Sequence, residues 1–178
     1  MGTWIALLRA VNVGRRQYPM AQLRAALVDA GFGEVETHIQ TGNVRLRSPL
    51  RSARQLGGKL EEVFRADRGF DVATFVLTPG ELSTIAADVK EVSARHTPEF
   101  GHYVSILDAP PSAADRDRIE GSSCERERVI VAGRAVHLLY DVPYHQAKSS
   151  NATLEKVVGR ATNRNARVVL AMAEKWGG

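Results

Sequence analysis

Trp4-Ile5-Ala6-Leu7-Leu8 is the stretch that decides the fold, because apolar residues occupy both alternating faces of one extended segment. A strand that is apolar on both faces is typical of the centre of a sheet that is covered on each side. The polar segment Arg9–Arg16 follows it directly. A second stretch, Ile39–Val44, repeats the plan of strand, polar turn with glycine, and strand. We expect the two polar turns to be neighbours in the folded chain.

Strands and helices alternate outward from this stretch. An apolar stripe at helical spacing predicts a helix over residues 20–30, and alternation predicts a strand over 34–41 that turns back through Gly42-Asn43. A capping-box pattern at 52–55 opens a second helix, and an apolar strand at 73–77 closes the half. The order β-α-β-β-α-β is that of a ferredoxin-like split βαβ unit.

The second half of the sequence follows a similar order after a connecting helix at 81–89. It predicts a strand at 103–107, a helix at 112–120, a hairpin turning at Gly133-Arg134, a helix at 152–158, a short strand at 160–162 and a last helix. We therefore predict an α+β protein of two ferredoxin-like (β-α-β-β-α-β) halves in tandem plus a C-terminal helix. The predicted domains are residues 1–79 and 80–178.

The composition is that of a globular protein, with 178 residues, 44% hydrophobic and 25% charged. No apolar run approaches the roughly 20 residues that span a bilayer, and the first residues lack the pattern of a secretion signal. We expect no membrane association and a cytoplasmic location. Cys124 is the single cysteine, which excludes an intramolecular disulfide and a zinc site built from cysteines.

The net charge of +4 is unevenly distributed. Residues 1–79 and 142–178 each carry +4, whereas residues 80–141 carry −4. The basic ends would form one positive face for an anion or nucleic acid if they met in space. The alternative is a mixed, solvated surface.

The chain resembles the bacterial family known as domain of unknown function 1697. The segments that carry the resemblance are Ile5–Gly14, Met20–Arg24, Ile39–Val44, Lys148–Asn151, Leu154–Lys156 and Ala161–Asn165. The resemblance implies a pair of ferredoxin-like halves and no established activity. Ala10 departs from the family pattern, which usually has Gly there, and Ala166 stands where the family typically carries Trp.

Two basic helix starts near the C-terminus are candidate anion sites. Lys148, Ser149, Ser150 and Asn151 precede or open one predicted helix, and Arg164 and Asn165 precede the last one, with Arg167 just beyond. Free backbone N–H groups at such starts bind phosphate or carboxylate, and arginine grips an oxyanion through two parallel hydrogen bonds. A plain helix cap with a surface lysine is the alternative interpretation.

The two polar turns supply four further candidates. Arg9 and Asn12 could complete an anion site with a guanidinium and an amide donor, and Gln40 and Asn43 have the same potential. Equally, Arg9 could pair with a carboxylate, and the amide side chains could satisfy their own turns.

Catalytic and cofactor signatures are sparse. The sequence has no Gly-x-Gly-x-x-Gly, no phosphate-binding loop with Gly-Lys-Ser/Thr and no His-Glu-x-x-His, so we expect no bound cofactor and no metal site. The weak candidate for acid–base chemistry is His145, which lies near Lys148 in the sequence.

Three hypotheses follow from these residues. The first is a non-catalytic module that binds an anionic, phosphorylated ligand, a nucleotide or nucleic acid. The second is an enzyme acting on a phosphate- or carboxylate-bearing small molecule, with His145 as acid or base. The third is a protein–protein interaction module or homodimer that uses a sheet face or edge.

Overall fold

Strand β1 (Gly2–Leu8) is a central strand of a four-stranded antiparallel sheet with the order β2-β3-β1-β4. The other elements of this sheet and its helices are α1 (Met20–Asp29), β2 (Gly33–His38), β3 (Asn43–Ser48), α2 (Ala53–Arg68) and β4 (Thr74–Leu77). In β1, Ile5 pairs with Arg45 of β3 on one side and with Leu77 of β4 on the other. The predicted central position of the first apolar stretch is confirmed.

The computed structural model describes all residues from 1 to 178. The chain divides into two compact units, Met1–Leu82 with Trp176–Gly178, and Ser83–Lys175. We call them the first unit and the second unit. The predicted division between residues 79 and 80 stays a prediction.

The first unit packs one face of its sheet against α1 and α2. Trp4, Ala6 and Leu8 of β1 join a core with apolar side chains of both helices, among them Leu23, Leu27, Leu56, Leu60 and Phe64. Ile5 and Leu7 point to the opposite face and are fully buried as well. Burying each leucine or isoleucine contributes roughly 1.5–3 kcal/mol, so both faces of β1 stabilise the unit.

Helix α2 begins where the capping pattern predicts. The Ser52 hydroxyl accepts a hydrogen bond from the Gln55 backbone N–H at 3.3 Å. Gly57, a poor helix former, is buried in the middle of this helix, where an added Cβ would lie 3.4 Å from the Thr74 carbonyl oxygen. The glycine therefore allows close approach of α2 to β4.

The second unit repeats the topology. Its elements are β5 (Gly101–Leu107), α4 (Ala113–Glu120), β6 (Glu127–Ala132), β7 (Ala135–Tyr140), a 3-10 helix (Tyr144–Gln146), α5 (Asn151–Val158) and β8 (Ala161–Asn165), flanked by α3 (Pro79–Arg95) and α6 (Ala166–Trp176). The sheet order is β6-β7-β5-β8, with every pairing antiparallel. Both halves therefore have the ferredoxin-like order, and the predicted fold class is confirmed.

Two elements extend beyond their predicted ends. Helix α3 continues to Arg95 because Val89 and Val92 prolong its buried stripe past the predicted end at residue 89. Strand β8 covers Ala161–Asn165, five residues, where the sequence predicted three. Thr162, Asn163 and Arg164 are polar, so their pairing with β5 left no apolar pattern in the sequence. None of the helices is both long and apolar enough to cross a membrane.

Two histidines are buried on one face of the second sheet. His102 of β5 and His137 of β7 are 8% and 0% exposed, and His102 Nε2 lies 2.9 Å from His137 Nδ1. Burial lowers the pKa of His102 to about 4, and burial together with the neighbouring His102 lowers the pKa of His137 to about 4. The buried guanidinium of Arg164 belongs to the same face, since Val104 pairs with both Arg164 and His137. The folded unit therefore holds both imidazoles neutral.

The histidine pair predicts a loss of stability in acid. In the unfolded chain the imidazoles take up protons near pH 6.5, so between pH 6.5 and pH 4 the unfolded state binds more protons than the folded state. The contribution of the pair is thus complete above pH 6.5 and is lost as the pH falls towards 4, a change on the order of 3 kcal/mol for each histidine. Denaturant unfolding measured from pH 7.5 to pH 4 checks this expectation. The double variant His102→Gln/His137→Gln should show a flatter pH dependence, whereas the exposed control His145→Gln should keep that of the wild type. A double variant as steep as the wild type would contradict the assignment.

Candidate functional site

The polar turns that follow β1 and β2 contact each other in the first unit, as predicted. The Leu8 N–H donates to the Gly42 carbonyl at 2.8 Å, and Asn12 Nδ2 donates to the Gln40 carbonyl at 2.6 Å. We call residues 9–16 and 39–43 the turn pair. It lies at one end of the first sheet, where β1 ends and β3 begins.

Asn12 holds the turn pair together. Its Oδ1 accepts from the Tyr18 N–H at 2.7 Å, and its Nδ2 donates to the carbonyls of Tyr18 and Gln40. Asn43 has a comparable role, because its buried Nδ2 donates to the His38 carbonyl and to Thr41 Oγ1. The structure favours the structural interpretation of both amides.

Three residues of the turn pair that are not glycine have a left-handed backbone conformation. The φ angles are +57° at Ala10, +57° at Asn12 and +50° at Ile39. Asparagine tolerates this region, whereas alanine and the β-branched isoleucine lose roughly 1–2 kcal/mol each. A glycine at position 10 would adopt this angle without strain. Strained backbone of this kind is concentrated at functional sites in proteins.

The outer surface of the turn pair is basic and exposed. Arg15 is exposed and forms no ion pair, and Arg16 places its guanidinium 5.8 Å from the centre of the Phe70 ring. Gln40 and Thr41 are exposed on the other turn. Arg9 is half-buried, and its backbone N–H donates to the Ala73 carbonyl at 2.8 Å. The turn pair thus presents cationic and amide groups on a backbone that its own hydrogen bonds fix.

In the second unit, the backbone N–H groups at the first predicted helix start bind a carboxylate of the protein itself. The buried carboxylate of Glu127 accepts hydrogen bonds from the backbone N–H groups of Lys148, at 2.8 Å, and Ser149, at 2.7 Å. Burial raises the pKa of Glu127, but these two N–H donors, the Ser149 side chain and the charge of Lys148 together outweigh burial and hold the pKa below its usual value. The backbone N–H groups of this predicted anion site therefore bind an internal carboxylate, and binding of an external anion there stays a prediction.

The remaining residues of this helix start also form internal bonds. Ser150 is the N-cap of α5, in a reciprocal capping box with Thr153. Asn151 Oδ1 accepts from the Ser105 hydroxyl at 3.0 Å, and its Nδ2 donates to the Ala161 carbonyl at 3.0 Å. The Lys148 side chain alone of this segment is exposed to solvent.

The second predicted helix start has a different structure. Arg164 and Asn165 belong to β8, and Arg164 is 7% exposed, with Nη1 donating to Thr162 Oγ1 and to the Asn163 carbonyl. Burial lowers the pKa of Arg164 to about 10. Asn165 Oδ1 accepts from the Arg167 N–H at 2.9 Å and so begins α6. Arg164 therefore precedes α6 as part of a buried strand that pairs with β5, and its role in binding an anion stays a prediction.

His145 lies in the 3-10 helix and is exposed, with Gln146 Nε2 at 3.4 Å from its Nε2. No carboxylate orients its ring. Tyr103, Tyr140 and Tyr144 form an aromatic cluster nearby, with ring centres 5.0–5.8 Å apart, and the Tyr140 hydroxyl donates to the Ser149 carbonyl. The sequence did not reveal this cluster, because its members come from three separate elements.

The half-buried arginines Arg45 and Arg47 of the first sheet are paired. Arg45 contacts Glu34 and Glu36, and Arg47 contacts Glu34, all at 2.9–3.4 Å across β2 and β3. These ion pairs reduce the charge that β3 could offer to a nucleic-acid backbone. No three His, Cys, Asp or Glu side chains are grouped as a metal site would require.

Comparison with known proteins gives a family and a fold. The model of a family described as "Protein of unknown function (DUF1697)" matches residues 1–137. A solved structure of the conserved bacterial protein SP0830 from Streptococcus pneumoniae is similar over 99% of this chain and 98% of that chain, with 21% sequence identity and a TM-score of 0.71. At that identity the similarity shows the fold alone. No curated protein matches the chain.

The close contact of the two turns predicts that Gly42 cannot be replaced. Gly42 has φ +72°, and an added Cβ would lie 2.5 Å from Val11 Cγ2 and 2.7 Å from Leu8 Cβ. We expect Gly42→Ala to destabilise the protein by about 3 kcal/mol, from left-handed strain and overpacking together. The control Gly14→Ala has a similar φ of +58° and open space, so it should lose only about 1 kcal/mol. Equal losses in chemical denaturation would show that the turns do not pack as described.

Proposed function

The chain belongs to the DUF1697 family of proteins of unknown function. Because the family name assigns no activity, we propose a function from the structure of the turn pair. The first unit is a non-catalytic module that binds a phosphate-bearing or otherwise anionic ligand, such as a nucleotide or a nucleic acid. Arg15 and Arg16 supply the charge, and Arg9 and Gln40 belong to the same ligand-binding set. We retain the sequence-based inference of a cytoplasmic location for this module.

The observation that carries this proposal is the combination of strain and exposure in the turn pair. Ala10 and Ile39 keep an unfavourable backbone, while Asn12 fixes both turns. A rigid loop with exposed arginines loses little conformational entropy when it binds an anion. Arg15 has no ion pair within the protein, so an external anion need not displace an internal carboxylate.

The second unit offers fewer groups for binding a ligand. The backbone groups at Lys148 and Ser149 already hold Glu127, and Ser150 and Asn151 are engaged within the fold. We therefore place the ligand contacts in the turn pair of the first unit, and a binding role for the exposed Lys148 stays a prediction.

Thermal unfolding with candidate ligands tests the proposal. The purified protein is heated with nucleotides, sugar phosphates, small carboxylates and short RNA or DNA at low and moderate salt. A ligand at about 100 times its dissociation constant stabilises the folded state by roughly 2.7 kcal/mol, which gives a clear shift in Tm. We expect Arg15→Glu to remove the shift without changing the Tm of the free protein.

The matched control is Arg51→Glu, an exposed arginine of the first unit outside the turn pair, with the same change of charge. It should keep most of the ligand-induced shift. Equal loss in both variants would mean that net charge, and not the turn pair, governs binding. A wild-type protein that no ligand stabilises would remove the proposal.

The exposed apolar side chains of the turn pair favour a second candidate, a protein–protein contact such as a homodimer. Val13 is 67% exposed and Ile39 is 46% exposed. Sedimentation equilibrium over a range of concentrations tests this candidate. A mass that rises towards twice that of the chain, and that Val13→Asp returns to the monomer value, would support it, and a monomer at the highest concentration would exclude a homodimer.

A further inference from the structure

Three side chains of the second unit form a continuous hydrogen-bonded line. Ser93, near the end of α3, has its Oγ 3.1 Å from His102 Nδ1, and His102 Nε2 lies 2.9 Å from His137 Nδ1. The line ends at His137 Nε2, which is buried and has no hydrogen-bond partner. A hydroxyl, an imidazole and a third group that orients the imidazole are the pattern of an activated nucleophile.

One arrangement of protons satisfies this pattern. If His102 Nδ1 accepts the hydrogen bond from the Ser93 hydroxyl, the proton of His102 is on Nε2 and is donated to His137 Nδ1. The proton of His137 is then on Nε2, the atom without a partner. In this tautomer His102 faces the serine with a lone pair, as a general base must.

The serine is exposed and the two imidazoles are buried, as a serine nucleophile with a general base requires. Ser93 is exposed to solvent, so a substrate can reach its hydroxyl. The two imidazoles beneath it are 8% and 0% exposed, so solvent does not compete for their hydrogen bonds. The low pKa of His102, a result of burial, keeps it unprotonated at neutral pH and also makes it a weaker base than a solvated histidine.

We propose that Ser93, His102 and His137 form a Ser–His–His relay in which the Ser93 hydroxyl is a nucleophile towards activated acyl esters. Ser93 Oγ forms a bond to the carbonyl carbon while its proton passes to His102 Nδ1. The bond between that carbon and the leaving oxygen then breaks, the leaving group departs as an anion, and the proton on His102 passes to solvent. Water hydrolyses the acyl-serine by the same route and releases the acid. His137 is a positioning residue that holds the tautomer of His102.

The position of Ser93 in α3 determines which esters the relay can cleave. The serine lies two residues before the end of α3, where a helix exposes carbonyl groups and carries partial negative charge. This end does not stabilise a developing oxyanion, so the leaving group must itself be a stable anion. The relay is therefore suited to phenyl esters and similar activated esters, and not to amides.

The test is acylation of the full-length protein by p-nitrophenyl acetate. We expect a burst of p-nitrophenolate, the mass increase of one acetyl group on the intact chain, and that group on Ser93 by peptide mapping. Ser93→Ala, a change at an exposed site, should abolish the burst. Ser83→Ala, the same substitution on the same helix, should leave it unchanged. His102→Gln should slow acylation about 100-fold, the usual contribution of a general base.

The pH profile separates the relay from a purely structural hydrogen bond. Because His102 is already unprotonated at neutral pH, the acylation rate should be constant between about pH 6 and pH 8. An unassisted hydroxyl would instead react about tenfold faster for each pH unit, in proportion to hydroxide. His137→Gln should lower the plateau while the Tm shows that the variant is folded. Acetyl groups on lysines only, or a burst that survives Ser93→Ala, would overturn the proposal.

Discussion

The need to bury both faces of β1 is the constraint on which the first unit depends. Trp4, Ala6 and Leu8 pack with α1 and α2, while Ile5 and Leu7 are fully buried on the opposite face. A strand covered on both sides must end in a turn whose polar groups are satisfied locally, since buried backbone groups without partners are costly. Asn12 meets that need through two hydrogen bonds with the Tyr18 backbone and one to the Gln40 carbonyl of the other turn.

Internal satisfaction of polar groups recurs in the second unit. The N–H groups before α5 would bind an external anion if they were open, but Glu127 reaches them from the start of β6. Asn151 connects β5 to β8 through Ser105 and Ala161 in the same way. Segments that resemble ligand sites in the sequence therefore act partly as the internal contacts that hold the two ferredoxin-like units in shape. The turn pair differs, because Arg15 is exposed and forms no ion pair.

The fold was predictable because its signals are local. Alternation in β1, the apolar stripes of α1 and α2, and the hairpin at Gly133-Arg134 each depend on neighbouring residues. The two boundary errors have different causes: α3 extends because Val92 continues its buried stripe, whereas β8 extends because its backbone pairs with β5. The polar strand β8 exists because its backbone pairs with β5. No alternation of apolar residues in the sequence predicts such a pairing.

The candidate site was only partly predictable for the same reason. The sequence by itself determined the order of elements, the family resemblance and the nearness of the two polar turns, since these follow from patterns along the chain. Only the tertiary structure decided the partners of each polar side chain: that Asn12 supports a turn, that Glu127 fills an anion-binding turn 21 residues away, and that Ser93, His102 and His137 form one line. A hydrogen bond between distant residues depends on distance and direction in three dimensions, and sequence spacing records neither.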